Sequence, residues 1–285
     1  MLKPDGRKYQ YVITPKRGVM ASDILGSTMR STTRMLNRSV HLTLLELKQQ
    51  IFGLSFGRLW HVIEPLLQAL TYYFLITVIF GMSGSDSTFA WFLVAIIYWR
   101  SHATLVVSAP SFLMSKGYNY IDQGFGLKLA FMESLIQEFI LFLIRFSALV
   151  VFIAVSQGHF GRSTFYGLLI AICMFSFSAA LSMWLAVAGM YFRDLGRFSA
   201  HAVWLWWYLS PGLYSMQKVP GWAVPFYTYN PFSYILPSAH AALLGNGIST
   251  IQALPLAIIF AASLAMGLVG WKVMKRAGYL TARYV

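Results

Sequence analysis

From Trp60 to Phe80 the chain is apolar almost without interruption, and no other feature restricts its fold as tightly. A helix needs about 20 such residues to cross the ~30 Å hydrocarbon core of a bilayer. Inside hydrocarbon every backbone N–H and C=O has to be satisfied within the structure, which for a single run of this length means a helix. The residues ahead of the run have another pattern. Leu44, Leu47, Ile51 and Leu54 share one helical face, with Thr43, Glu46, Lys48 and Gln50 opposite. That is the pattern of a helix lying along a membrane surface. Gly53 and Gly57 permit a bend between the two segments. Pro65 falls in the first turns of the span, where a missing backbone donor costs least.

Similar runs recur along the chain. The sequence predicts further spans at Phe89–Ala109, Leu129–Val155, Thr164–Tyr191, Phe198–Leu213 and Ile251–Met274. Charged residues make up 11% of the chain, against roughly 25% in soluble domains. The expected fold is therefore an all-α integral membrane protein with six transmembrane helices and an N-terminal amphipathic interfacial helix. The organisation read from the sequence is a basic segment over residues 1–38, the interfacial helix over 39–58, the six-span domain over 59–274 and a tail over 275–285. Residues 1–58 contain no continuous apolar core, so no secretory signal peptide is predicted there. The stretch Tyr214–Thr250 is semi-apolar but broken by Pro220, Pro225, Pro231 and Pro237. Too broken to span, it is expected to dip in and return as re-entrant helices between spans five and six. Irregular backbone at membrane depth is tolerated only where protein or a water-filled cavity covers it. A re-entrant outer element is thus itself a sign of a conduit.

Charge orients the chain. Of its 22 lysines and arginines, all but Arg100, Arg145, Arg162 and Lys218 fall on the side of the predicted topology that holds both termini. Positive charge marks the cytoplasmic side, so both termini are expected there. The net charge of +13 is then a signal of orientation and headgroup contact rather than a nucleic-acid footprint. No catalytic constellation is visible. The six histidines are scattered without metal-ligand spacing, and Cys173 lies alone in an apolar run. There is no Gly-x-x-x-x-Gly-Lys-Ser/Thr phosphate cradle, so ATP is not bound by that route.

Charges within the spans are the sharper signals, because each is costly at the bilayer centre. Glu64 and Glu133 lie near span ends, where pairing or snorkelling accounts for them. Arg100 and Arg145 are deeper. Arg100 either faces a conduit and meets anionic groups, or pairs with Glu133 or Glu138 of span three. The aromatic residues also have two readings. Trp91 and Trp222 suit an interfacial belt. Tyr72, Tyr73, Trp207 and Tyr208 lie deeper, where rings either pack against lipid or stack on the apolar face of a sugar. Ser178, Ser182 and Ala186, at four-residue spacing, and Gly267 with Gly270 are expected to form close helix-packing faces.

Several motifs together resemble the ABC-2 type permeases that export capsule, O-antigen and teichoic-acid polysaccharides. Gly57-Arg58-Leu59-Trp60 followed by Glu64-Pro65 is similar to that family's approach to its first span. Trp99-Arg100 is similar to the capsule exporters. Arg193-Asp194-Leu195 is closer to the O-antigen and teichoic-acid permeases. Ser210-Pro211, Val219-Pro220 and Asn230-Pro231 match the family's succession after span five. His240 departs from it, since many members carry arginine there. The resemblance covers roughly residues 40–280 and implies a half-transporter of the cytoplasmic (inner) membrane. Two copies would pair with two copies of an ATP-binding subunit, which would carry the ATP and Mg; this chain would hold no cofactor. The cargo would be a lipid-linked polysaccharide. Glu46, Gln49, Lys116, Arg193 and Asp194 would couple to the ATPase. Pro211, Pro220, Asn230 and Pro231 would belong to the outer gate, and Tyr72, Tyr73, Arg100, Trp207 and Tyr208 to the substrate conduit. A secondary transporter of a small solute is the rival, though residues 60–155 and 164–274 show no internal repeat. A membrane scaffold is another, but it would need neither buried arginines nor a re-entrant element.

Overall fold

The computed structural model describes residues 37–47, 59–81, 86–112, 127–157, 162–192, 194–244 and 250–281, all of them helix, turn or connecting segment, with no strand among them. Helix α1 covers residues 37–47. It is followed by α2 (Trp60–Phe74), α3 (Asp86–Phe112), α4 (Leu127–Gln157) and α5 (Arg162–Tyr191). Then come α6 (Leu195–Tyr208), a short 3-10 turn at Met216–Lys218, α7 (Val224–Thr228), α8 (Phe232–Leu244) and α9 (Thr250–Thr281). Five helical stretches among the described residues are long and apolar enough to cross a membrane: Trp60–Ile79, Thr88–Phe112, Lys128–Ser156, Thr164–Tyr191 and Ala253–Met274. The chain is a multi-pass helical membrane protein.

The expected fifth span, Phe198–Leu213, takes a different form. Helix α6 has 14 residues, about 21 Å at 1.5 Å per residue, and is too short to cross the core. It ends because Ser210 N–H bonds back to Trp207 O at 3.2 Å in a tightened last turn, and Pro211 then supplies no donor. The apolar 13-residue α8 follows the turns. Helix α2 also ends unexpectedly, in a π-helical turn at Leu75–Ile79. There Thr77 Oγ1 donates to Tyr73 O at 2.7 Å, and Phe80 N–H reaches back five residues to Leu75 O. A side-chain hydroxyl bonding its own preceding turn favours such local rewinding.

Helix α3 is the hub and packs against α2, α4, α5, α6 and α8. From Phe92 to Tyr98 every residue is buried, so the helix is covered all round. In α2, by contrast, only Pro65 and Ala69 are buried. Close approaches set the packing. A Cβ on Gly189 of α5 would lie 2.1 Å from Pro110 O of α3, so backbone meets backbone there. The predicted small-residue face is present: Ser178, Ser182 and Ala186 are buried, and a Cβ on Gly270 of α9 would stand 3.2 Å from Met183 Cβ. The buried Tyr98 hydroxyl donates to Gly167 O at 2.6 Å, tying α3 to α5.

Candidate substrate cleft and outer clasp

Between α2, α3 and α6 lies a cleft of about 390 Å³, whose lining includes Gln68, Tyr72, Trp99, Arg100, Trp204 and Trp207. Each helix contributes by its period. Gln68 and Tyr72 are one turn apart on α2, and Trp204 and Trp207 are three residues apart on α6. Trp207 is the anchor. It is buried, its ring lies 5.3 Å from that of Trp99, and its Nε1 donates to the Tyr72 hydroxyl at 3.0 Å. This hydrogen bond is why a deep indole is tolerated, and it holds Tyr72 at the cleft wall. Trp204 is 63% exposed, with Tyr208 packed edge-on against it at 5.1 Å.

Of the five expected conduit residues, Tyr72, Arg100 and Trp207 therefore line one cavity, and Tyr208 stands beside its rim. Tyr73 does not join them. It packs edge-on against Phe89 at 6.0 Å, in the contact of α2 with the main apolar core. Consecutive helix residues point about 100° apart, so Tyr72 and Tyr73 cannot both face the cleft. Gln68 and Trp204 were not predicted as site residues. The i, i+4 relation to Tyr72 and Tyr208 was the sequence signal that pointed to them.

Neither expected glutamate pairs with Arg100. Its Nη2 lies 2.5 Å from Glu64 Oε2. Glu138 is taken by Arg145 on its own helix, and Arg145 Nε also donates to Leu141 O at 3.0 Å. Glu133 is buried nearer the start of α4, where its carbonyl accepts from Thr43 Oγ1 of α1 at 3.3 Å. Arg145 thus has the structural role. His61 lies within electrostatic reach of Glu64, Arg100 and Arg145.

Among the predicted outer-gate residues, Asn230 makes a clasp between the end of α6 and the start of α8. Asn230 Oδ1 accepts from Trp206 Nε1 and from Phe232 N–H, both at 3.0 Å. Its Nδ2 donates to Leu209 O and Ser210 Oγ, both at 3.2 Å. Asn230 caps the turn that leads into α8, and Pro231 stands just before the helix, where no backbone donor is needed. Pro211 is buried at the turn beyond α6, and Pro220 is exposed. Between them the Tyr214 and Tyr227 hydroxyls meet at 2.5 Å. Trp91, expected in the interfacial belt, instead stacks on His240 at 3.6 Å and donates to Gly212 O at 3.1 Å. His240 Nε2 donates to Trp91 O at 3.0 Å. Trp222 is 78% exposed, as a belt residue would be.

Another buried histidine sits deeper. Ser178 Oγ donates to Met174 O at 2.8 Å, which spends its only proton. The 2.8 Å contact from His102 Nδ1 to that oxygen is therefore a donation by the ring, and the tautomer is fixed. Of the expected coupling residues, Glu46 is half-buried on α1 and Asp194 is exposed just before α6. Gln49, Lys116 and Arg193 lie outside the described residues.

Fold and cleft together define a multi-pass helical membrane protein with an aromatic-walled cleft that presents a single arginine. No family model matches the chain. It is 23% identical over 245 residues, 84% of this chain and 92% of the relative, to a protein of Klebsiella pneumoniae described as the O-antigen export system permease protein RfbA. It is 24% identical over 244 residues to a second protein of that organism with the same description and similar coverage. The resemblance to ABC-2 type polysaccharide-export permeases thus extends over most of the chain.

Proposed function

We propose that this chain is the transmembrane subunit of an ATP-driven exporter that moves a lipid-linked polysaccharide across the cytoplasmic membrane. The observation that carries the reading is the cleft walled by Tyr72, Trp99, Trp204 and Trp207, in a chain similar along most of its length to O-antigen export permeases. A long hydrated polymer needs contacts that are weak and repeated, because a tight site would stall it. Stacking on rings tolerates many sugar orientations, and an aromatic contact contributes about 0.5–1.5 kcal/mol, taking the value for aromatic pairs.

The remaining parts follow from the same reading. In this arrangement α6 and the turns that follow it to Leu213 together make the fifth crossing, α7 and α8 are re-entrant helices closing the outer end, and both termini are cytoplasmic. Apolar residues flank the cleft on both sides, Leu67, Leu70 and Phe74 from α2 and Phe198 and Leu205 from α6, all exposed. A second copy of the chain covers these faces and completes the conduit. ATP and Mg belong to two copies of a separate ATPase subunit that docks on the cytoplasmic side. The test is export of a polysaccharide by proteoliposomes containing this chain and its ATPase. Trp204→Ala and Tyr208→Ala should slow export severalfold at unchanged protein level and unchanged basal ATP hydrolysis. Export that proceeds without ATP would instead support the secondary transporter and end the proposal.

A further inference from the structure

Two arginines sit at membrane depth, and the structure treats them differently. Arg145 edges a second cavity of about 310 Å³, otherwise lined by apolar residues such as Val62, Leu66, Ile97, Leu149 and Phe152. Its side chain is 4% exposed and that of Glu138 is 5%. Both are on one helix, and a backbone carbonyl takes a further donor. Nothing from outside can exchange with that pair.

Arg100 and Glu64 come from different helices and are 31% and 44% exposed. Arg100 is the one charged side chain among those lining the aromatic cleft, and Glu64 is not part of the lining. The guanidinium therefore faces the cavity on one side and its counterion on the other. Arg100 lies 14 residues from the start of α3 and Glu64 lies 15 from the end of the π turn. That places both about 21–22 Å from the ends that the 79–86 connection joins. The pair is thus one charged layer, midway along α3 and about one turn from the start of α2. A guanidinium carries five donors in a planar fork suited to oxyanions, and Glu64 meets it through Nη2.

We propose that this pair is an exchange site: an oxyanion of the cargo displaces the Glu64 carboxylate from Arg100, and Glu64 reseats when the cargo moves on. The resident carboxylate keeps the site weak, which a moving polymer requires, and makes it selective for anionic groups over neutral sugar. The released carboxylate is half-exposed, so it can be solvated while it is displaced. The chemistry is that of a phosphate or carboxylate. It has two sources, the phosphate of a lipid carrier or an acidic sugar. The inference rests on the export reading above.

The experiment measures binding to the full chain with its ATPase partner in nanodiscs, using three probes: a short polyprenyl pyrophosphate, an oligogalacturonide and a neutral dextran oligosaccharide. Glu64→Gln should tighten binding of one or both anionic probes by about three- to fivefold, the worth of a partly exposed pair, and leave dextran unchanged. Whichever anionic probe responds identifies the source. Arg100→Gln should abolish the preference for anionic probes. The double exchange Glu64→Arg with Arg100→Glu restores a pair but turns a carboxylate to the cleft, so the protein should be folded and anion binding lost. Dextran binding with no effect of Glu64→Gln on either anion would overturn the exchange site and leave the aromatic cleft standing. Failure of all three probes to bind would overturn the export reading itself.

Discussion

Asn230 ties the end of α6 to the start of α8, and alanine at that position removes the whole clasp. Two acceptor bonds are lost, from Trp206 Nε1 and Phe232 N–H, together with two donor bonds to Leu209 O and Ser210 Oγ. The N-cap contribution alone is typically about 1 kcal/mol, and each further hydrogen bond adds about 0.5–1.5 kcal/mol. Water reaches this half-buried site and repays part of the loss, which leaves a net cost of about 2–4 kcal/mol. At a factor of ten per 1.4 kcal/mol, the form in which the segment between α6 and α8 is released becomes roughly 30- to 700-fold more populated. Amide hydrogen exchange in nanodiscs reads this directly. Amides from Leu209 to Ile235 should exchange faster in Asn230→Ala, and those of α9 should not change. Asn230→Asp keeps both acceptor bonds and should fall between alanine and the native residue. Native-like exchange across Leu209–Ile235 in the alanine variant would refute the view that this side chain holds the segment between α6 and α8 in place.

Other sites test the packing and the coupling. Gly189→Ala drives a methyl into Pro110 O, so α3 and α5 have to separate, and the thermal midpoint should drop by several degrees, about 1–3 kcal/mol of overpacking. Arg145→Met should cost about 3–5 kcal/mol by leaving Glu138 buried without its counterion, and the double change with Glu138→Gln should recover most of that in the same unfolding assay. Ser178→Ala removes the acceptor of the buried His102 ring, and a loss of about 1–3 kcal/mol is expected in that assay. Charge reversal at Asp194 should uncouple ATP hydrolysis from export in proteoliposomes while membrane insertion is unchanged.

The long spans were legible because hydrocarbon demands apolar length and little else. The predicted Thr164–Tyr191 differs from helix α5 by only two residues at its start. Where tertiary contacts decide, legibility ended. The apolar run Phe198–Leu213 reads as a span by composition, but Ser210 and Pro211 close α6 at Tyr208. Nothing in the residues of α2 announces its π-helical end, which depends on how Thr77 uses its hydroxyl. Arg100 was legible as a charge that needs a partner, but the choice of Glu64 over Glu138 was not. That choice depends on Arg145 lying seven residues after Glu138 and claiming it first. Trp91 suited an interfacial belt by its position. The contact with His240 that fixes it crosses 149 residues of sequence.

Tyr72 and Tyr73 offer the sharpest comparison, because sequence treats them as equivalent and the fold does not. They are adjacent, chemically identical and at the same depth, so insertion energy and general hydrophobicity cancel between them. Tyr72 lines the cleft and accepts from Trp207 Nε1, whereas Tyr73 packs on Phe89 in the core contact of α2. Phenylalanine separates the two roles. Tyr72→Phe removes the acceptor of a buried indole and should cost about 1–3 kcal/mol of stability. It should also lower export per folded molecule, because the Trp207 wall is no longer fixed. Tyr73→Phe retains the ring that meets Phe89 and should leave both quantities near native. Tyr73→Ala, in turn, should lower stability by about 1–3 kcal/mol, the loss of a half-buried ring that packs on the core, yet leave export per folded molecule unchanged. Equal effects of the two phenylalanine variants on export would mean that the cleft wall and the core face of α2 are not functionally distinct, and the conduit would have to lie elsewhere.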